Sequence, residues 1–504
     1  MGVAPLTPLA QLDRAADYFP RRAAYRFEDA TTSYDELREQ VRRLAAYLRD
    51  SGVRPGDRVA VLARNVPLSL LAHFAVPYAG AVLVALNHRL AGRELQAILT
   101  HAEPRLLLVE SHLAGLGDEA VVGLDVPAVT DEVALAAEPA DVPRQHPVTD
   151  ELSLITINYT SGTTGTPKGV MYRHRGAALQ SIAMAYHLRL EMDSVYLWTL
   201  PMFHCNGWSF PWAVAAAGAT SLCTDTTDPE RLWELIRKER VTHFCAAPTL
   251  LTTLLTSPGA AAVEHPLTVA TGGAPPTPAL IRRAEQLGLH VVHLYGLTET
   301  YGPSLLCEWQ PEWDALDADA RADKLSRQGI PNITAPTVTL EPVPGDDGRG
   351  LAEVTLEGNT VMAGYYRDEE ATARASVDGT RFRTGDLGVQ HEDRYYQLQD
   401  RAKDIIISGG ENISSIEVER TLAEHPAVSE SAVVGRPDDH WGEVPVAYVT
   451  LSGDAEVTEQ ELIDFVRSRI AHFKAPKRVV FGPLPKTATG KIQKFELRRR
   501  TDAG

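Results

Sequence analysis

Between Tyr159 and Gly169 the chain places five aliphatic hydroxyls (Thr160, Ser161, Thr163, Thr164, Thr166), three glycines (Gly162, Gly165, Gly169) and Lys168 within eleven residues. Glycine lets a backbone approach a ligand closely and adopt positive φ, so that successive N–H groups can converge on one anion. The hydroxyls add donors and the lysine adds a compact positive charge. The chemistry implied is a grip on phosphate. The nucleotide-binding P-loop requires Gly-x-x-x-x-Gly-Lys-Ser/Thr, and here Pro167 stands before Lys168 with Gly169 after it, so that pattern does not fit.

Other stretches have residue types suited to the same ligand. Tyr295-Gly-Leu-Thr-Glu-Thr300 follows an apolar run, and ligands of α/β proteins bind beyond the carboxyl ends of strands. A tyrosine there can stack on a purine, Thr298 can hydrogen-bond phosphate, and Glu299 can hold magnesium or serve as an ordinary helix-start charge. Gly272-Gly273-Ala274-Pro275 also follows a strand and offers open backbone. Thr384-Gly-Asp386 sets a carboxylate on a tight turn, able to take both ribose hydroxyls or simply to cap the turn. Asp400-Arg-Ala-Lys-Asp404 precedes the glycine-containing loop Ser408-Gly-Gly-Glu-Asn-Ile413, and Pro485-Lys-Thr-Ala-Thr-Gly-Lys491 presents lysines from a polar loop.

These residues need a scaffold, and the hydrophobic pattern describes one. Ser33-Tyr-Asp-Glu36 is a capping box, with Leu37, Val41, Leu44, Ala45 and Leu48 at helical spacing behind it. Strands are predicted at 58–62, 81–85 and 106–109, with helices from 68 and over 92–101. A second alternating series follows the phosphate loop, with strands at 194–200, 242–246, 269–271 and 290–294 and helices at 229–240 and 278–287. Alternation of this kind predicts layered α/β structure with a largely parallel sheet. Proline and glycine near 331–350 mark a change to β-rich structure, with strands at 337–340 and 353–356. From about 400 the elements at 417–422, 428–434, 444–451, 459–470 and 478–481 describe a compact α+β module.

Composition sets the class. A chain of 504 residues with 44% hydrophobic and 23% charged residues is that of a soluble globular protein of several domains or subdomains. No secretory leader or membrane span is expected, which makes the cytoplasm the default location. The four cysteines (Cys205, Cys223, Cys245, Cys307) are too widely spaced for a metal or redox pair. A net charge of −17 argues against nucleic-acid binding, although the last 35 residues are basic and could meet an anionic cosubstrate.

Taken in chain order, these stretches resemble the adenylate-forming superfamily, the AMP-binding family of acyl-CoA synthetases, adenylation domains and luciferases, from about residue 10 to residue 500. The resemblance implies a large amino-terminal region of two α/β subdomains and a β-barrel-like subdomain over 1–399, a hinge at 400–403, and a small mobile α+β domain over 404–504. It implies that ATP, magnesium, CoA and a small carboxylic acid are the reactants, with an acyl carrier protein as an alternative acceptor. By position, Ser161, Gly162, Thr163, Thr164, Gly165, Thr166 and Lys168 match the phosphate loop. Gly273, Ala274, Tyr295, Gly296 and Thr298 match further nucleotide contacts, with Tyr295 stacking on adenine. Glu299 and Thr163 match the magnesium site, and Asp386 and Arg401 the ribose contacts. Lys403 matches the hinge, and Lys491 the lysine of adenylation. Gly409, Gly410 and Glu411 match the loop lining the CoA thiol tunnel. His204 matches a movable aromatic beside the acyl carboxylate, and counts with Lys491 and Thr163 as catalytic. Asn206, Trp208, Phe210, Gly272, Gly296 and Pro303 complete the acyl pocket. The run from Met202 to Trp208 is similar to the medium-chain and aryl acyl-CoA ligase branch, so a medium-chain or aryl acid is expected. The rival readings are an acyl-AMP ligase that loads a carrier protein and a non-catalytic nucleotide sensor. Oligomeric state, monomer or homodimer, stays open.

Overall fold

The structure, a computed structural model, describes residues 4–139, 141–160, 167–342, 352–401, 404–408, 411–438, 441–453, 455–487 and 492–500. Two large sheets form the amino-terminal part. The first has six strands in the order Ala128–Thr130, Leu106–Val109, Arg58–Leu62, Val82–Leu86, Leu154–Thr160 and Lys168–Arg173, parallel except for the last. The second has nine, with Leu289–Leu297, Leu267–Thr271, His243–Ala246, Val195–Leu197, Thr220–Leu222 and Ala23–Phe27 running parallel through its centre. Its edges are antiparallel, formed by Gly302–Leu306 and Ile330–Pro331 on one side and Ala30–Ser33 on the other.

Both faces of each sheet are covered, and the alternation of side chains shows how. Val59 and Val61 point into the largest core cluster, while Ala60 and Leu62 point into a separate one with Leu95, Ile98 and Leu99. In the second sheet Tyr196 and Ala270 share that largest cluster, while Leu197 and Val269 face the helices Pro229–Lys238 and Pro278–Gln286. The side chains that meet between the sheets come from the helices Leu9–Tyr18, Tyr34–Asp50, Pro67–Tyr78, His174–His187 and Phe210–Ala217. A period of two on strands flanked by helices is what layered α/β packing requires. The expected capping box is present: Ser33 and Glu36 exchange hydrogen bonds at the start of Tyr34–Asp50.

A four-stranded antiparallel sheet follows, Thr337–Pro342, Ala352–Glu357, Phe382–Gln390 and Tyr396–Arg401, where β-rich structure was expected. The smaller carboxy-terminal part has five strands, Glu411–Ile413, Ile406–Ser408, Gly442–Leu451, Val428–Asp438 and Arg478–Phe481, over the core of Val418, Leu422, Val433, Val449, Leu462 and Val466.

The structure differs from the sequence reading at two points near the site. The strand expected over 194–200 is only Val195–Leu197, because the carbonyls of Trp198 and Leu200 accept hydrogen bonds from the Asn65 amide instead of continuing the ladder. Lys168 is matched by position to the phosphate loop. It instead opens the strand Lys168–Arg173, paired with Thr160 across residues 161–166.

Candidate active site

The carboxyl ends of the parallel strands converge on one region, where sheets of this kind bind ligands. Leu154–Thr160 runs out into residues 161–166, Leu267–Thr271 into Gly272-Gly273, and Leu289–Leu297 into the single turn Thr298–Thr300. Ser161, Gly162, Thr163, Thr164, Gly165, Thr166, Lys403, Gly409, Gly410 and Lys491 lie outside the described residues.

Three groups of expected site residues are brought together. In the first, Tyr295 donates its hydroxyl to Asp386 Oδ2 at 2.7 Å. Asp386 in turn pairs with Arg401 in the register of neighbouring antiparallel strands. Residues separated by about a hundred positions thus share one corner.

In the second, Glu299 Oε1 accepts the hydroxyl of Tyr365 at 2.8 Å, and Lys168 Nζ lies 4.9 Å from the centre of the same tyrosine ring. Burial first, then Glu299, raises the pKa of Tyr365 and keeps its proton on the hydroxyl. Residues 362–366 are stitched in by backbone bonds from Met362 to Glu299, from Ala363 to Met171 and from Tyr366 to Gly169. Tyr365 was not foreseen. The described residues hold no group of three or more His, Cys, Asp or Glu side chains able to bind a metal. Magnesium needs no such cage, since it keeps several waters and takes one or two carboxylates plus phosphate oxygens. Glu299, aimed by Tyr365, whose ring also meets Lys168, fits that requirement.

The third group surrounds an unusual backbone. Cys205, Asn206, Gly207, Trp208 and Ser209 have φ of 49°, 51°, 54°, 54° and 66°, five successive residues in the left-handed region. For residues other than glycine that conformation costs roughly 1–2 kcal/mol each, and it persists only where the surroundings dictate it. Here Asn206 Oδ1 accepts from Asn158 Nδ2 at 2.7 Å and Asn206 Nδ2 donates to Thr156 Oγ1 at 3.3 Å. Cys205 Sγ lies 3.2 Å from Thr298 Oγ1, and burial pushes its thiol up to about 12. Gly207 packs on Trp198, where a methyl group would fall 2.6 Å from the indole.

This turn delivers Trp208 to the glycines. A methyl group on Gly272 would lie 2.7 Å from the Leu294 carbonyl oxygen and 3.1 Å from Trp208 Cη2, and one on Gly302 would lie 3.2 Å from Trp208 Cδ1. Gly296 pairs with Pro303 across the adjoining strands. Trp208, Gly272, Gly296 and Pro303 therefore share one place, with His204 at the head of the turn. Asn206 is fully buried with its amide turned to Asn158 and Thr156. Phe210, also fully buried, stacks on Tyr196 with ring centres 4.7 Å apart. Gly273 and Ala274 are exposed at the strand end, and Glu411 pairs with Ser408 in the carboxy-terminal sheet.

With that geometry in hand, comparison decides the family. Residues 12–366 match the model of the AMP-binding enzyme family and residues 417–491 that of the AMP-binding enzyme C-terminal domain. The chain belongs to the AMP-binding enzyme family. It is 40% identical to an acetate/butyrate–CoA ligase of Arabidopsis thaliana, named as peroxisomal, over 98% of this chain and 94% of that protein. It is also 40% identical to a 4-hydroxybutyrate–CoA ligase of Metallosphaera sedula, over 99% and 95%. The o-succinylbenzoate–CoA synthetase of Bacillus subtilis, solved with its acyl-adenylate intermediate, is 29% identical and superposes with a TM-score of 0.85 over 97% of this chain and 98% of that one. The same synthetase has been solved with ATP and a magnesium ion. This AMP-binding enzyme is an AMP-forming acyl-CoA ligase using ATP, magnesium and CoA. No helix among its described residues is long and apolar enough to cross a membrane.

Proposed function

We propose that this ligase activates short aliphatic carboxylic acids, of about two to five carbons. The carrying observation is Trp208, 7% exposed and packed against Gly272 and Gly302. An indole held there limits the depth available to an acyl chain. The names of the two relatives, for acetate, butyrate and 4-hydroxybutyrate, favour the same size. The acid is shorter than the medium-chain or aryl one expected from the motifs.

The reaction has two steps. The acid's carboxylate attacks the α-phosphorus of ATP, forming a C(O)–O–P bond as pyrophosphate leaves. The CoA thiolate then attacks the acyl carbon and AMP departs. Chemistry of this kind depends on positioning and on donors aimed at developing charge. Tyr295 offers its ring to adenine, while Asp386 and Arg401 take the ribose. Thr163, Thr164 and Lys168 hold the β- and γ-phosphates. Magnesium, when bound, supplies positive charge beside those phosphates, with Glu299 and Thr163 as its holders. Lys491 bridges the carboxylate and the α-phosphate in the first step. For the second step the domain over 404–504 turns about Lys403, and Gly409, Gly410 and Glu411 line the path of the thiol.

The test is a panel of acetate, propionate, butyrate, hexanoate, octanoate and benzoate with ATP and CoA, scored by pyrophosphate release and thioester mass. The expected order puts propionate and butyrate first, and Trp208→Ala should shift preference toward hexanoate, since each methylene is worth about 1–3 kcal/mol in an apolar pocket. A wild type that favours octanoate or benzoate would refute the short-acid reading.

A further inference from the structure

The left-handed turn poses a question that the reaction does not answer. Four of its five residues are not glycine, and among them Cys205 and Trp208 have no preference for positive φ. Something must hold the chain there. Cys205 Sγ on Thr298 and Gly207 under Trp198 hold its first half from the side of the second sheet. From the first sheet Asn206 meets Asn158, which donates at 2.7 Å, and more distantly Thr156, which accepts at 3.3 Å; the amide pair, 1% and 0% exposed, is the shorter contact.

Asn158 sits on Leu154–Thr160, two residues before the end of the strand that enters the phosphate loop. Its Nδ2 donates to Asn206, while its Oδ1 is buried with no hydrogen-bond partner among the described residues. An unpaired buried amide oxygen costs about 1–3 kcal/mol, which leaves the bond donated by Nδ2 as the contact this side chain makes among the described residues. Asn206 in turn lies two residues before Trp208 in the same left-handed run. A shift at Asn206 is therefore passed along the turn to the indole, which has no slack against Gly272 and Gly302.

We propose that Asn158 is a positioning residue for acid selectivity: through Asn206 it fixes the left-handed turn that seats Trp208 against Gly272 and Gly302. The inference rests on the acid-pocket reading above and adds a residue outside the pocket to it. Because the contacts of Cys205 and Gly207 remain when the amide pair is broken, the consequence is a displaced indole in a folded enzyme.

The experiment compares wild type, Asn158→Ala, Asn206→Gly, the double variant and Trp208→Ala, measuring kcat/KM for propionate and hexanoate at saturating ATP and CoA. Asn206→Gly keeps the left-handed conformation easy while removing the hydrogen bond, so it separates backbone from bond. Each single variant should raise the hexanoate-to-propionate ratio by about tenfold, the low end of what one methylene is worth in an apolar pocket. The double variant should do no more than Asn206→Gly alone, because that change already removes the bond from Asn158 along with the one to Thr156. The KM for ATP should stay within about threefold, whereas general loosening of the fold would raise it with the rest. Ratios unchanged in both single variants, or effects that multiply in the double one, would overturn the proposal. If Trp208→Ala shifts the ratio and Asn158→Ala does not, the pocket reading stands and the role of Asn158 falls. A wild type that prefers hexanoate refutes the short-acid reading, while the ratios of the variants still judge Asn158.

Discussion

Lys168 and Glu299 are recognisable from their motifs, but the residue that joins them is not. Tyr365 places its hydroxyl on the Glu299 carboxylate and its ring beside the Lys168 ammonium, combining a charge-assisted hydrogen bond with a cation–π contact. Nothing in the residues around Tyr365 announces this, since the role depends on residues 362–366 docking along Lys168–Arg173. Tyr365→Phe keeps the ring and removes the hydroxyl. A hydrogen bond to a charged group is worth about 1.5–3 kcal/mol, so the variant should need about tenfold more magnesium for half-maximal pyrophosphate release, with the KM for the acid little changed. An unchanged magnesium dependence would show that the hydroxyl does not orient Glu299.

At the scale of elements, what could be read was local. The capping box, the five-residue strand Arg58–Leu62 and the terminal strand Arg478–Phe481 follow from caps and alternation within a few residues. The hairpin Ala23–Phe27 and Ala30–Ser33 was missed because its partner, Thr220–Leu222, lies nearly two hundred residues away. The left-handed turn was missed for a similar reason. Asn206 and Gly207 favour positive φ, but Cys205 and Trp208 adopt it only because other elements hold them there. The helix Pro67–Tyr78 was legible, whereas the consequence of burying His73 inside it was not. Its Nδ1 meets the Ser69 carbonyl at 2.7 Å, and burial pushes the imidazole down to about 4. His174, at the start of His174–His187, meets Thr7 at 2.9 Å and is likewise pushed down to about 4 by burial, with His146 lowering and Asp150 raising it. Both titrate lower in the folded chain than the usual 6.5, so the unfolded chain binds protons first as pH falls. The stability they permit is complete above about pH 6.5 and is lost on descending toward about pH 4. The melting temperature should drop by about 2–4 °C between pH 7.5 and pH 5, and less steeply in His174→Gln. A flat profile over that range would contradict this role for the buried imidazoles.

At the scale of the whole molecule, the residues proposed to bind the nucleotide and the acid belong to the amino-terminal part, and Lys491 and Gly409–Glu411, proposed for the two steps, belong to the carboxy-terminal part. Several contacts join the parts next to residues 402–403. Ser414 Oγ donates to the Gln399 carbonyl at 2.6 Å, and the Ser415 N–H donates to Asp400 Oδ2 at 2.5 Å. Lys494 reaches Ser415 and Glu419 at 2.6 and 2.8 Å, and Arg498 reaches Asp404 at 2.5 Å. These charges converge around Asp400, Asp404 and Glu419 and secure the helix Lys494–Arg499, which begins three residues after Lys491. Lys491 is proposed to act in the first step alone. The most direct measurement follows the two half-reactions separately in wild type and Lys491→Ala: pyrophosphate release from acid and ATP, and thioester formation from supplied acyl-AMP and CoA. Loss of one preorganised donor to developing charge should slow the first by about 10²–10³, with thioester formation within a few-fold of wild type. Equal losses in both half-reactions would contradict the account.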